Sequence, residues 1–115
     1  MITIVVKRQP SGDVQSITID GHAGFDDPGK DIVCAAVSGI SFGMLNAVDR
    51  LLGVELPVQQ GDSGFLHWEL PELESEKHQR IQLLMDAMVA SLRSVAIEYG
   101  KFVKVHDTKV NRRWI

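Results

Sequence analysis

The feature that most constrains this chain is an uncharged stretch of 17 residues, from Ile32 to Val48, with apolar side chains at helical spacing. It predicts a helix from about Ile32 to Leu52, which Gly53 ends. Because no charge interrupts the stretch before Asp49, we expect the helix to be buried on more than one side, in the domain centre or against another subunit. The stretch is short and contains several small polar residues, so we expect no membrane span.

Alternating β-branched residues and turn clusters predict the elements on either side of this helix. We expect strands over residues 2–8, 17–19, 54–60 and 65–70, and a last strand from Phe102 through Val110. Ser75 is predicted to cap a second, amphipathic helix that Gly100 ends. The order ββαββαβ predicts a single α+β domain over residues 1–115, with two long helices packed on a mainly antiparallel sheet.

Charge and cysteine content argue against several classes of function. The 115 residues carry a net charge of −3, whereas a nucleic-acid binder usually has a basic surplus, so we expect no direct nucleic-acid contact. The C-terminal tail is basic and is predicted to be an edge strand with protective lysines, with a binding patch as the alternative: Lys101, Lys104, Lys109, Arg112 and Arg113. The single cysteine and the lack of a signal-peptide pattern favour a reducing cytoplasm.

Cys34 is the third residue of the first helix if Asp31 is its cap. Unpaired backbone N–H groups and the helix dipole stabilise an anion at that position, and the thiolate is the reactive form of cysteine. A lone cysteine between Val33 and Ala35 is also typical of an inert core position. Position alone therefore leaves two interpretations open, a nucleophile and a buried structural thiol.

His22 precedes Cys34 in a stretch where Gly21, Gly24 and Gly29 predict a mobile loop. Such a loop can fold back onto the start of the following helix. A histidine beside a cysteine can then act as general base and afterwards as general acid. The alternative is a loop histidine without a role. We interpret His22 and Cys34 as a candidate catalytic pair that needs no cofactor.

Two further residues are candidates for supporting roles. Asp31 is predicted to cap the helix, and it is also a candidate third group that orients His22. Ser38 lies one helical turn after Cys34, where its hydroxyl either contacts substrate or bonds within the helix. The histidines and the cysteine show no short paired spacing, so we expect no metal site.

Two short segments carry a family resemblance. Residues 21–24 (Gly-His-Ala-Gly) and 29–38 (Gly-Lys-Asp-Ile-Val-Cys-Ala-Ala-Val-Ser) resemble the signature of the ribosomal-processing cysteine protease Prp family. The resemblance implies an endopeptidase that removes a short N-terminal extension from large-subunit ribosomal protein number twenty-seven. It also implies a homodimer and a loop that closes over substrate. His22 is then the general base and Cys34 the nucleophile, with Asp31 and Ser38 as supporting residues.

Several points stay open at this stage. Residues 25–28 are where we expect family members to differ most, which leaves the docking role of Asp26 and Asp27 undecided. Backbone N–H groups at the helix start are the expected oxyanion donors. Two other functions remain as alternatives. One is a non-catalytic ribosome-associated binding module with Cys34 buried, and the other is a cysteine hydrolase of a small acyl or amide substrate.

Overall fold

The computed structural model describes residues 1–108, which form the predicted order of elements. The strands and helices, in chain order, are β1 (Ile2–Arg8), β2 (Val14–Asp20), α1 (Ile32–Leu52), β3 (Val58–Gln60), β4 (Leu66–Glu69), α2 (Ser75–Glu98) and β5 (Val103–Asp107). The ββαββαβ arrangement and the boundaries predicted for α1 are confirmed.

The five strands form one sheet in the spatial order β3-β4-β2-β1-β5. Three of its four neighbouring pairs are antiparallel, and β1 pairs with β5 in parallel. The two predicted hairpins, β1–β2 and β3–β4, are both present. The start of β1 and the start of β5 therefore lie at the same end of the sheet as the end of β2.

One face of the sheet carries the core. In β1, the alternate residues Ile2, Ile4 and Val6 are buried, while Val5 and Lys7 are exposed. This alternation places the apolar side chains under the helices and leaves the other face to solvent. The two helices pack against each other, and α2 also packs against β2 and β5.

Helix α1 is less buried than its composition predicts. Val33, Val37, Ser41 and Val48 are buried, but three large apolar side chains are exposed, with fractions of 55% at Ile32, 40% at Phe42 and 71% at Leu51. By length and composition alone, the 21 residues of α1 are long and apolar enough to cross a membrane, so the shortness of the 17-residue stretch is not by itself an argument against a span. Core helices pass the same test, and α1 packs on α2 within the domain.

Several predicted boundaries were wrong. Strand β3 begins at Val58 rather than at residue 54, because Pro57 has no N–H for a ladder. Strand β4 covers Leu66–Glu69 and is thus shorter than the predicted 65–70 at both ends. The predicted start of β2, residue 17, was three residues late, since the strand begins at Val14.

The ends of α2 also differ from the prediction. Glu74 rather than Ser75 caps the helix, since its carboxylate accepts hydrogen bonds from the N–H groups of Glu76 and Lys77. At the other end the cap is Tyr99, so the helix ends before Gly100. Strand β5 starts at Val103 and ends at Asp107. Val110 and the basic residues Lys109, Arg112 and Arg113 lie outside the described residues.

Candidate active site

The candidate site lies where β2 ends and α1 begins, and a loop over residues 21–31 connects the two. Asp31 is the N-cap of α1, as predicted. Its Oδ1 accepts hydrogen bonds of 3.0 Å from the N–H groups of Val33 and Cys34. Its Oδ2 accepts from the N–H groups of Phe25 and Asp26, at 3.0 and 3.3 Å. One carboxylate therefore joins the loop to the helix start.

These contacts decide the ionisation of Asp31. Partial desolvation of the carboxyl group favours its neutral form, but the hydrogen bond from the Cys34 N–H favours the charged form, as do those from Asp26, Phe25 and Val33. Together they hold the pKa of Asp31 below its ordinary value. All four donors are backbone groups, and the imidazole of His22 is not among the partners of Asp31 in the described part of the chain. The structure thus supports the capping role and does not place Asp31 as the group that orients His22.

The loop touches the candidate nucleophile directly. The backbone N–H of Ala23 donates a hydrogen bond to Sγ of Cys34, over 3.3 Å. Ala23 is buried, whereas Cys34 is only partly buried. A cavity of about 670 Å³ lies beside this contact, and His22 and Cys34 both line it. The thiol is therefore open to a ligand, which the alternative of an inert core cysteine did not predict.

The predicted residues gather around the same cavity. Gly21, Gly24, Gly29, Asp31 and Ser38 all line it. Ser38 is exposed and lines the cavity in which a substrate would lie. The serine that satisfies itself within the helix is Ser41, whose Oγ donates to the carbonyl of Val37 at 2.7 Å.

Gly64 is a site residue that the sequence analysis did not single out. Its φ is +79°, and a Cβ there would lie 2.4 Å from the carbonyl oxygen of Gly21 and 3.5 Å from Cε1 of His22. Gly21 is restricted in a similar way, since its φ is +99° and a Cβ would meet the carbonyl oxygen of Met1. Only glycine allows these backbones to approach so closely. The β3–β4 turn therefore packs directly against the backbone of the loop that carries His22.

The loop is held at further points. The Phe25 ring packs edge-to-face on Tyr99 and Phe102, with centroid distances of 5.8 and 5.3 Å. Asp27 forms a local turn, since its N–H donates to Oδ1 of Asp26 and its carbonyl accepts from the Lys30 N–H. No local sequence pattern predicts these aromatic contacts, because they join residues more than 70 positions apart. Mobility of this loop without substrate stays a prediction.

The amides at the start of α1, which are the expected oxyanion donors, are partly occupied. The N–H groups of Val33 and Cys34 already donate to the Asp31 carboxylate, and that of Ala35 donates to the Asp31 carbonyl at 3.0 Å. A developing oxyanion cannot recruit them without breaking the cap. The sequence predicts the position of these amides at the start of α1, but it does not show that Asp31 accepts hydrogen bonds from them.

A second, smaller cavity continues the first along α1. It measures about 200 Å³ and shares Ile19, Val37, Ser38 and Gly64 with the larger one. Phe42 and Phe65 add aromatic surface to its lining. The two cavities are therefore neighbours, and the second lies further along α1 than Cys34. Within residues 1–108, no group of three or more His, Cys, Asp or Glu side chains is placed to hold a metal ion.

The chain resembles known proteins both in sequence and in structure. The profile of the family described as Cysteine protease Prp matches residues 1–104. The chain is similar to the ribosomal processing cysteine protease Prp of Bacillus subtilis (strain 168). The two are 36% identical over 107 residues, which cover 91% of this chain and 96% of the relative.

Two solved structures share the fold. One is an essential ribosomal processing protease Prp from S. aureus with a covalently linked product peptide. It has a TM-score of 0.84, 29% identity and coverage of 92% of this chain and 98% of that one. The other is the S. aureus protease with a substrate peptide, with a TM-score of 0.77, 28% identity and the same coverage. The α+β fold with its ββαββαβ order is thus the fold of these peptidases.

Proposed function

The chain belongs to the Prp family of cysteine proteases, and from this premise we propose that it is an endopeptidase in which Cys34 is the nucleophile and His22 the general base. The observation that carries the proposal is the contact between the Ala23 N–H and Cys34 Sγ. It brings the loop that bears His22 onto the helix start that bears the thiol. Both residues also line one cavity, which supports their assignment as nucleophile and base.

The reaction follows from this placement. His22 accepts the thiol proton, and Sγ of Cys34 attacks the peptide carbonyl carbon. The imidazolium of His22 then gives its proton to the leaving amine, and water hydrolyses the resulting thioester. Asp31 acts through the backbone, because it holds the loop and the helix start together. No step requires a cofactor.

We propose as substrate the precursor of large-subunit ribosomal protein number twenty-seven, from which the enzyme removes a short N-terminal extension. The names of the related ribosomal processing proteases support this substrate class. The two neighbouring cavities favour a peptide over the small acyl or amide substrate considered above, since the second offers further space along α1 beyond Cys34. Asp26 lines the larger cavity and is a candidate contact for a basic substrate residue.

We further propose that the protein acts in the cytoplasm as a homodimer, without membrane or nucleic-acid contact. The exposed apolar side chains of Ile32 and Leu51 on α1 support this proposal, since a partner would remove them from water. Sedimentation at micromolar concentration tests this, since a monomer of 12.7 kDa would refute the dimer.

The test of the activity is to incubate the purified protein with the ribosomal precursor and to measure the product by mass spectrometry. The wild-type protein is expected to release one N-terminal fragment, and Cys34→Ala is expected to release none. Because alanine is a good helix former, the variant should keep its fold, which circular dichroism checks. Processing by a folded Cys34→Ala protein would refute the proposal. An unprocessed precursor with the wild-type protein would refute the substrate.

A further inference from the structure

We propose that the backbone N–H of Ala23 is the donor that stabilises the oxyanion when Cys34 attacks a peptide, an inference that rests on the proposed endopeptidase activity. The donor is then part of the loop that carries His22, and the helix start supplies no oxyanion hole of its own. Three observations lead to this assignment: which first-turn amides are occupied, where the Ala23 N–H points, and how its peptide group is held.

The first observation is that the cap occupies the first turn of α1. Asp31 accepts from the N–H groups of Val33 and Cys34 through Oδ1 and from that of Ala35 through its carbonyl, at 3.0 Å in each case. If an oxyanion took the first two, Oδ1 of Asp31 would lose both its partners. Such an exchange gains little, since one charge-assisted hydrogen bond replaces another. Of the first-turn amides, only that of Ile32 has no acceptor among the described residues.

The second observation is where the Ala23 N–H points. It lies 3.3 Å from Sγ of Cys34. In the tetrahedral adduct the carbonyl oxygen is two bonds from that sulfur, so it enters the region that the N–H already faces. A donor preorganised toward the place where charge develops needs no reorganisation during the reaction, which is why such donors are effective.

The third observation is that this peptide group is fixed at both ends. The carbonyl oxygen of His22 belongs to the same peptide group as the Ala23 N–H, and it accepts a hydrogen bond from the nitrogen of Met1. The Ala23 side chain is buried. Two residues further on, the Phe25 N–H donates to Asp31. In this conformation of the loop, the peptide group is therefore held both at its N–H and at its carbonyl oxygen.

The chemistry then proceeds in a defined sequence. In the resting enzyme the Ala23 N–H donates to Sγ. When the Sγ–C bond forms, the carbonyl π electrons move to oxygen, and the hydrogen bond shifts from sulfur to that oxygen. Collapse of the adduct restores the carbonyl and breaks the C–N bond, and the imidazolium of His22 protonates the leaving amine. The same donor serves the second adduct, in which water attacks the thioester.

An amide-to-ester replacement at position 23 tests this assignment, because it removes the N–H and keeps the shape of the backbone. Incorporation of lactic acid in place of Ala23 gives the variant, and Ala23→Pro is a second variant that lacks the N–H. We expect kcat for precursor cleavage to fall about 100-fold, with KM changed by less than about 2-fold. Alkylation of Cys34 by iodoacetamide forms no oxyanion, so its rate should fall far less than kcat.

The matched control is the same ester at Glu72, compared with Glu72→Ala. Glu72 is exposed in the loop before α2, and its N–H has no partner among residues 1–108, so the ester itself should cost no activity. Thermal melting checks that the position-23 variants are folded. A folded ester variant with kcat within 2-fold of wild type would overturn the assignment and point to Ile32. Equal losses in cleavage and alkylation would also overturn it, because the N–H would then act on sulfur alone. If the wild-type protein cleaves no precursor, the proposed substrate is refuted, whereas an alkylation rate that the position-23 ester changes would still support the Ala23–Cys34 contact.

Discussion

The two ends of strand β1 show opposite ways of pairing polar groups. At its start lies the candidate site, where His22 is exposed and Cys34 accepts one hydrogen bond from a backbone N–H. At its end lies Arg8, whose side chain is 5% exposed and donates to Asp107 at 2.8 and 3.0 Å, to Asp86 at 3.0 Å and to the carbonyl of Gly12. Asp107 is 1% exposed. The Arg8 end is saturated, whereas the Cys34 end leaves capacity for a substrate.

This difference separates a region that stabilises the fold, around Arg8, from a region that is available for substrate, around Cys34. Burial of Arg8 opposes its charge, but the hydrogen bonds to Asp107 and then to Asp86 prevail and raise the pKa of Arg8 above its ordinary value. Arg8 and Asp107 lie at the end of the parallel β1–β5 pairing. Their bidentate contact is one that lysine could not make. The site end relies instead on backbone donors and glycines, which position reactive groups without neutralising them. We expect stability and activity to respond to different substitutions accordingly.

Asp107→Ala should have the largest effect on stability. Removing one partner leaves the buried Arg8 charge poorly compensated, which costs about 3–5 kcal/mol and lowers the melting temperature by roughly 15 °C. Calorimetry measures the change, and precursor cleavage well below the melting temperature should stay close to wild type. Glu76→Ala is the control, because it breaks an exposed ion pair with Arg80, worth less than about 0.5 kcal/mol. Similar losses of stability in Asp107→Ala and Glu76→Ala would show that the buried Arg8–Asp107 pair contributes no more than an exposed ion pair.

Gly64→Ala should reduce both stability and activity, with a smaller loss of stability than Asp107→Ala. Its Cβ would lie 2.4 Å from the Gly21 carbonyl, so either the β3–β4 turn or the His22 loop must move. We expect a stability loss of about 2 kcal/mol or more, together with a fall in kcat of about 10-fold. The matched control is Gly24→Ala, where φ is also positive but nothing lies within 4 Å of the new Cβ. Its stability loss should be about 1 kcal/mol, from the backbone alone.

If Gly64→Ala and Gly24→Ala reduce kcat equally, then the contact of the β3–β4 turn with the His22 loop does not explain the loss of activity.

Asp31→Asn should have the smallest effect, and one that depends on pH. The folded state lowers the pKa of Asp31, so the charged carboxylate stabilises the fold at neutral pH. That contribution is complete above the unfolded pKa of about 4 and is lost as pH falls through the lower folded value. Asparagine also caps helices but does not titrate, so its cost at pH 7 should be a few degrees of melting temperature.

The measurement is the melting-temperature difference between wild type and Asp31→Asn at pH 7, 5 and 3. It should be constant from pH 7 to 5 and shrink by pH 3, as the wild-type carboxylate becomes protonated. A difference that stays constant down to pH 3 would show that the charge of Asp31 does not contribute.

Local pattern was sufficient for much of the fold. Helix α1 begins and ends where its apolar period, Asp31 and Gly53 predict, because both caps act through hydrogen bonds within a few residues. Strand β3 was predicted too long, since buried Val54 and Leu56 look like strand residues whether or not they pair. The cap of α2 was misplaced by one residue, because Glu74 has a longer side chain than the usual capping residues and still reaches the same amides.

For the site, the sequence by itself determined the chemical groups and their order along the chain: Gly21, His22, Asp31, Cys34 and Ser38. Only the tertiary structure decided which of these groups touch. Asp31 bonds to loop amides instead of His22, Ala23 supplies the N–H at sulfur, and Gly64 comes from a distant hairpin to support Gly21. The physical reason is the separation along the chain over which each interaction acts. Capping and periodicity depend on near neighbours, whereas backbone contacts between the loop and other elements depend on how the whole sheet and its helices pack.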